Sequence, residues 1–169
     1  MDLSNLGNDI ERVVVSEEQI QTRLKELAKQ VEKDYEGKDL VLVGVLKGAV
    51  MAMADFSRHL QRHIDMDWMA VSSYGAGTKS SGVVRILKDL DNDILGRNVL
   101  IIEDILDTGL TLSWLTENLL SRGAKSVAVL TVLRKPDAAT VKVEAKYVGF
   151  DLPSEFVVGY GLDFDQKYR

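Results

Sequence analysis

Short, unbroken apolar runs alternating with stretches of helical spacing restrict the fold of this chain more than any other feature. Leu40 to Leu46 is one such run, Val99 to Ile102 a second, and Ser126 to Leu133 carries a third strand pattern. A strand that is apolar on both faces must be covered on both, as in a parallel sheet lying between layers of helix. The intervening segments supply those helices. Ser16-Glu17-Glu18-Gln19 has the form of a capping box, and Ile20, Leu24, Leu27 and Val31 follow it at spacings of three and four. Gly48 to about Leu60 and Leu112 to about Arg122 read as two more helices. Asp67 to Ser72, Val83 to Leu87, Tyr147 to Phe150 and Phe156 to Tyr160 read as shorter strands. Asp91-Asn92-Asp93 with Gly96 marks a turn. The expected class is α/β, a mostly parallel twisted sheet flanked by helices.

Composition narrows the functional classes. The chain has 169 residues, which fits a single domain over 1–169. It has no cysteine, which excludes a disulfide framework, thiol catalysis and cysteine-based zinc sites. A net charge of −5 argues against bulk binding of nucleic acid, which needs a basic face to release counterions. The most apolar stretch, Leu40 to Ala54, is too short to span a bilayer and contains Lys47, so no membrane partner is expected. Met1 to Asp9 has acidic residues and no apolar targeting core, which points to the cytoplasm. His59 and His63, at i and i+4 near a helix end, lack an acidic third ligand and read as surface or packing residues.

The chemistry concentrates between Val99 and Leu112. An apolar strand leads to Glu103 and Asp104, then a short turn, Asp107-Thr108-Gly109, leads through Leu110 and Thr111 into a helix. In an open parallel sheet, ligands bind beyond the carboxyl ends of the strands. Backbone N–H groups at the start of the following helix, aided by the threonine hydroxyls, suit a phosphate. Three acids within five residues repel one another, and something must offset that: Mg²⁺, ligand hydroxyls, or positive charge developing in a reaction. A phosphorylated, hydroxyl-rich ligand such as a sugar phosphate, brought in with Mg²⁺, answers both needs. Asp-Thr-Gly also occurs in aspartic proteases, but those need two such motifs in an all-β fold. A response-regulator pocket would draw its acids from separate strands. From Ser73 to Gly82 the chain is small, polar and glycine-rich, the composition of a mobile loop or lid.

These residues carry a specific resemblance. Val99 to Leu112 resembles the phosphoribosyl-pyrophosphate motif of type I phosphoribosyltransferases. Leu46-Lys47-Gly48, Ser73-Tyr74-Gly75, Arg134-Lys135 and Phe156-Val157-Val158-Gly159-Tyr160 through Asp163 to Arg169 resemble the 6-oxopurine branch of that family, in family order. The resemblance implies the type I fold with a small hood lobe, formed by the N-terminal segment and the part from about 134. It also implies a flexible active-site loop over about 73–83. The implied reaction passes the 5-phosphoribosyl group from phosphoribosyl pyrophosphate to hypoxanthine, guanine or both, releasing pyrophosphate, in purine salvage.

Residue by residue, the resemblance makes Asp107, Glu103 and Asp104 the catalytic acids, with Asp107 handling the purine proton as general base or holding the ring through a hydrogen bond. Asp107, Thr108, Gly109, Leu110 and Thr111 would cradle the ribose 5-phosphate. Leu110 stands where some members carry a basic residue, so the backbone must supply that contact. Leu46, Lys47, Gly48, Ser73, Tyr74 and Arg169 would bind pyrophosphate, the first three in a loop that can adopt a non-proline cis peptide. Lys135 would donate to the exocyclic oxygen of the purine, with Phe156, Val157, Ile105 and Asp163 also on the purine side. One Mg²⁺ would be held by Glu103 and Asp104 beside the ribose, and a second by Asp163. Partners would be the two small-molecule substrates and a second copy of the chain, as homodimer or homotetramer. Two rivals stand beside this reading: a regulatory RNA-binding protein on the same fold, and a transferase preferring xanthine or a pyrimidine.

Overall fold

A computed structural model describes residues 9–73 and 84–169. Helix α1 (Glu17–Asp34) opens on the expected capping box. The Ser16 hydroxyl accepts from Gln19 N at 3.2 Å, and the Gln19 side chain accepts from Ser16 N at 2.8 Å. Its stripe of Ile20, Leu24, Leu27 and Val31 is buried, joined by Ala28. Strands β1 (Val41–Leu46), β2 (Asp65–Ser73), β3 (Val84–Lys88), β4 (Asn98–Leu106), β5 (Ser126–Arg134) and β6 (Tyr147–Asp151) form one sheet in the order β3-β2-β1-β4-β5-β6. All neighbours pair in parallel except β2 and β3, so the sheet is mostly parallel with one antiparallel edge.

Alternation along the central strands builds two cores. Leu40, Leu42, Leu100, Ile102, Leu130 and Val132 face α1 and α2 (Val50–His59), where Met53 and Phe56 meet them. Val41, Val43, Val45, Val99, Ile101 and Val129 face the other way, onto Leu112, Leu115 and Leu119 of α3 (Leu110–Ser121). The period of two in a strand dictates this division. Topology dictates which helix lies where. From β1 the chain crosses through α2 to β2 on one side, and from β4 through α3 to β5 on the other. Right-handed crossovers running in opposite directions put their helices on opposite faces.

Three expectations change. Strand β4 does not end at Ile102 but continues through Glu103 and Asp104 to Leu106, because β5 goes on pairing with it as far as Leu106↔Arg134. Phe156 to Tyr160 is not a strand; beyond β6 the chain forms tight turns, with positive φ at Gly159, Tyr160 and Gly161. His63 lies past the end of α2 at His59, so the two histidines do not share a helix. Of the expected loop at 73–83, Ser73 ends β2 and the rest, Tyr74 included, lies outside the described residues. No helix among the described residues is long and apolar enough to cross a membrane.

The capping box satisfies two helix-end donors that α1 would otherwise leave unpaired. Ser16→Ala should therefore cost about 1 kcal/mol and lower the thermal midpoint by about 2–4 °C in a chain of this size. Denaturation followed by circular dichroism checks this, with turnover unchanged.

Candidate active site

The centre of the sheet opens into a crevice at its carboxyl end. β1 and β4 are paired from Val41↔Val99 to Gly44↔Ile102 and no further. Past that point β1 stays with β2 to Leu46↔Ala70, while β4 stays with β5 to Leu106↔Arg134. The strands part where the direction of the crossovers reverses, the switch point at which doubly wound sheets bind ligands. Helices α2 and α3 both begin at this crevice. Neither N-terminus carries a side-chain cap or an acid in its first turn, in contrast to α1. Two helix starts left without a capping side chain or carboxylate, and flanking one crevice, favour anions.

The loop between β4 and α3 is shaped for this. Gly109, the residue before α3, has φ +82°, and a Cβ there would press on the Val141 carbonyl and the side chains of Val141 and Val143. The Thr108 carbonyl is drawn to the same segment, accepting from Thr140 N at 3.0 Å, Val141 N at 3.2 Å and the Thr140 hydroxyl at 3.1 Å. An oxygen that would repel an anion is thereby occupied elsewhere. Thr108 Oγ1 lies 3.5 Å from Leu110 N, while Leu110 itself is exposed. Thr140 and Val141 were not legible as site residues, because nothing in their sequence marks a segment that packs behind a loop thirty residues away.

Across the crevice, the peptide between Leu46 and Lys47 is cis. Gly48 lies directly over Asp104, and a Cβ at position 48 would overlap the Asp104 carboxylate. Asp104 therefore reaches from β4 to the β1–α2 loop, its Oδ1 accepting from Ile105 N at 2.7 Å. Glu103 is buried beside it. Burial pushes the Glu103 carboxyl well above the usual range, and the adjoining Asp104 carboxyl pushes the same way. Among the described residues no three acidic or histidine side chains come together as a metal-binding group. Asp163, expected at a second ion, lies apart from Glu103 and Asp104: it pairs with Arg169 at 2.6 Å and accepts from Gln166 N at 2.7 Å. A carboxylate facing a guanidinium in a ligand-free chain takes the nearest counter-charge, which here is Arg169.

The remaining expected residues gather at two places. Lys135, buried at the end of β5, brings its Nζ to 3.7 Å from Asp107 Oδ2, while the Asp107 side chain is half exposed. A cavity of about 180 Å³ adjoins this pair, bounded by Leu106, Pro136 and Val141. A wider groove of about 440 Å³ between α3, β5 and residues 142–146 contains none of the expected site residues. Ile105 and Val157 are partly buried. Phe156 is 73% exposed, its ring meeting the Phe164 ring edge-on at 5.9 Å. An aromatic face left open to solvent is available for stacking. The C-terminal turns lie over the β1–α2 loop. Lys47 Nζ donates to Gln166 Oε1 at 3.1 Å, and the Arg169 guanidinium donates to the Gly161 carbonyl at 2.5 Å. Gly161 and Gln166 were missed by sequence reasoning, although the two glycines flanking Tyr160 were a visible sign of a turn. Arg12 pairs with Glu155 at 2.6 Å and Tyr168 donates to Asp9 at 2.7 Å, so the N-terminal segment and this C-terminal part lie together.

A doubly wound sheet with paired acids and two helix starts without side-chain caps at its switch point defines a protein that handles phosphorylated, hydroxyl-bearing ligands. Comparison with known proteins makes the class definite. The model of the phosphoribosyl transferase domain matches residues 16–165, and the chain belongs to that family of transferases. It is 56% identical over 167 residues to the hypoxanthine-guanine phosphoribosyltransferase of Mycobacterium tuberculosis, covering 95% of this chain and 83% of that one. It is 53% identical over 164 residues to the enzyme of the same name from Streptococcus thermophilus, covering 97% and 91%. A crystal structure of a hypoxanthine phosphoribosyltransferase from Staphylococcus aureus superposes with a TM-score of 0.94 at 49% identity, covering 99% and 91%.

Glu103 sets a pH dependence. Its native carboxyl keeps a proton that the unfolded chain releases once the pH passes the ordinary value of 4.5. Stability is therefore fullest below that value and declines as the pH rises toward the raised native one. With divalent cations chelated, Glu103→Gln should flatten this decline above the ordinary value of 4.5. Thermal midpoints measured across that range for both proteins check it, and parallel curves would contradict it.

Proposed function

We propose that this transferase passes the 5-phosphoribosyl group from phosphoribosyl pyrophosphate to a 6-oxopurine, hypoxanthine or guanine, in purine salvage. The observation that carries the reading is the pairing of a buried lysine with a half-exposed carboxylate, Lys135 with Asp107, at the rim of a crevice suited to anions. A lysine cannot accept a hydrogen bond. Lys135 therefore favours a purine carbonyl oxygen over the amino group of adenine, and a site built to donate rejects an analogue that cannot accept.

In this reading the N–H groups of residues 107–111 hold the ribose 5-phosphate, and the Leu46-Lys47-Gly48 loop holds pyrophosphate together with Arg169. Phe156 stacks on the base beside Val157 and Ile105. A purine ring nitrogen attacks the anomeric carbon as its bond to pyrophosphate breaks, and the nitrogen's proton goes to Asp107. Glu103 and Asp104 face the ribose, where positive charge develops. Mg²⁺ fits the donor set, two hard carboxylates with no third nearby among the described residues, because this cation keeps several waters and takes its other ligands from phosphates. Glu103 and Asp104 would hold it, and its chemistry there is to neutralise charge gathering on the leaving pyrophosphate. Asp163 and Arg169 separate to meet the ligand. The enzyme works in the cytoplasm as a homodimer or homotetramer, and the exposed Val50 and Met51 beside Lys47 on α2 favour self-association.

Nucleotide formation from phosphoribosyl pyrophosphate tests the proposal, with hypoxanthine, guanine, xanthine and adenine compared in the presence and absence of Mg²⁺. Product from hypoxanthine or guanine, dependent on Mg²⁺ and with adenine inert, is the expected result; adenine as the preferred base would overturn it. Asp107→Asn should lower kcat by roughly 10²–10⁴-fold while leaving the circular dichroism spectrum unchanged. Lys135→Ala should raise KM for the 6-oxopurine by at least roughly tenfold and narrow the gap to adenine, read from kcat/KM for both bases.

A further inference from the structure

Tyr160 occupies a backbone conformation that an aromatic residue rarely adopts. Gly159 and Leu162 exchange backbone hydrogen bonds, Gly159 N to Leu162 O at 3.0 Å and Leu162 N to Gly159 O at 3.1 Å. The residues between them, Tyr160 at φ +55° and Gly161 at φ +101°, are both left-handed, as in a type I′ turn. Glycine takes that conformation freely, whereas a residue with a Cβ is strained in it and has to be held by its surroundings.

The side chain supplies the hold. The Tyr160 ring packs on the core beneath α1 and α2, and its hydroxyl donates to Asp55 Oδ2 on α2 at 2.7 Å. The same oxygen accepts from Gln21 Nε2 on α1 at 2.5 Å. Gln21 Oε1 in turn lies 3.1 Å from His59 Nε2, so that nitrogen carries a hydrogen and donates. Burial, reinforced by the Asp55 carboxylate, pushes the Tyr160 hydroxyl far above its usual range, so it stays a donor. The turn held in this way sets Gly161 on the Gly48 carbonyl so closely that a Cβ at position 161 would overlap it. It also divides Phe156 and Val157 on one side from Asp163 on the other.

We propose that Asp55, oriented by Gln21, is a positioning residue for the active site. Without touching a substrate, it fixes through the Tyr160 hydroxyl the turn that registers the base-stacking segment against the Lys47-Gly48 loop. This rests on the transferase reading above. Where the register loosens, the base and phosphoribosyl pyrophosphate meet walls no longer preorganised for them, and binding weakens before the chemical step does.

Tyr160→Phe removes one oxygen and keeps the ring in the core, and Asp55→Ala removes the acceptor. Each should raise KM for the base and for phosphoribosyl pyrophosphate by roughly five- to tenfold, the scale of one lost hydrogen bond, with kcat within about twofold of wild type. Asp55→Asn keeps an oxygen where Oδ2 stands and should restore both KM values. A lowered thermal midpoint with unchanged KM in Tyr160→Phe and Asp55→Ala would reduce the network to a structural clamp and overturn the inference, as would a loss confined to kcat. Failure of the wild-type protein to turn over any base would instead overturn the transferase reading, and this inference with it.

Discussion

The parting of two neighbouring strands in the middle of the sheet governs the rest of the molecule. β1 and β4 share backbone pairing only as far as Gly44↔Ile102, and each then follows its outer neighbour. This divergence leaves an opening between strand ends where a foreign group can enter. The same topology delivers α2 and α3 to the crevice from opposite faces, N-termini first. The two helix starts without side-chain caps and the placement of Asp104 against the β1–α2 loop descend from that geometry.

The charge arrangement inside the crevice is the counterpart of its shape. Glu103 and Asp104 are buried next to each other on β4, a strand otherwise lined with Val99, Leu100, Ile101 and Ile102. A chain selected for stability alone gains nothing from two adjoining buried carboxyls, and at Glu103 burial and the neighbouring carboxyl both oppose ionisation. Their presence makes sense as a local conflict that a ligand resolves, and such conflicts cluster at working sites. Asp163 and Arg169 show the complementary tactic. Opposite charges at the mouth neutralise each other in the ligand-free chain.

Much of this was legible in the residues. The Ser16–Gln19 capping box, the α1 stripe and the apolar runs of β1 and β4 each follow from local rules acting on neighbours in sequence. The turn between β4 and α3 was legible because Asp107-Thr108-Gly109 combines acid, hydroxyl and flexible backbone between an apolar strand and a helix. The length of β4 was not, since pairing with β5 rather than apolar character carries that strand through two acids. Phe156 to Tyr160 has strand-like residues, yet tertiary contacts through Tyr160 and Gly161 fold it into a turn. Asp55 stands 34 residues from Gln21 and 105 from Tyr160, a separation at which no spacing rule operates. The Lys135–Asp107 contact likewise becomes visible only once β4 and β5 are laid side by side.

The seam between β1 and β4 has a mechanical consequence. Below Gly44 and Ile102 the two halves of the sheet are joined by backbone ladders with packed cores on both faces. Above that pair they are joined by the Asp104 reach to Gly48 and by the C-terminal turns draped across. Opening along this seam breaks fewer backbone hydrogen bonds than parting the same strands below it, so amide exchange along the two loops should report it without global unfolding. Whatever fills the crevice spans the seam, so occupancy and rigidity become a single variable: the bound molecule serves as the missing rung between two half-sheets.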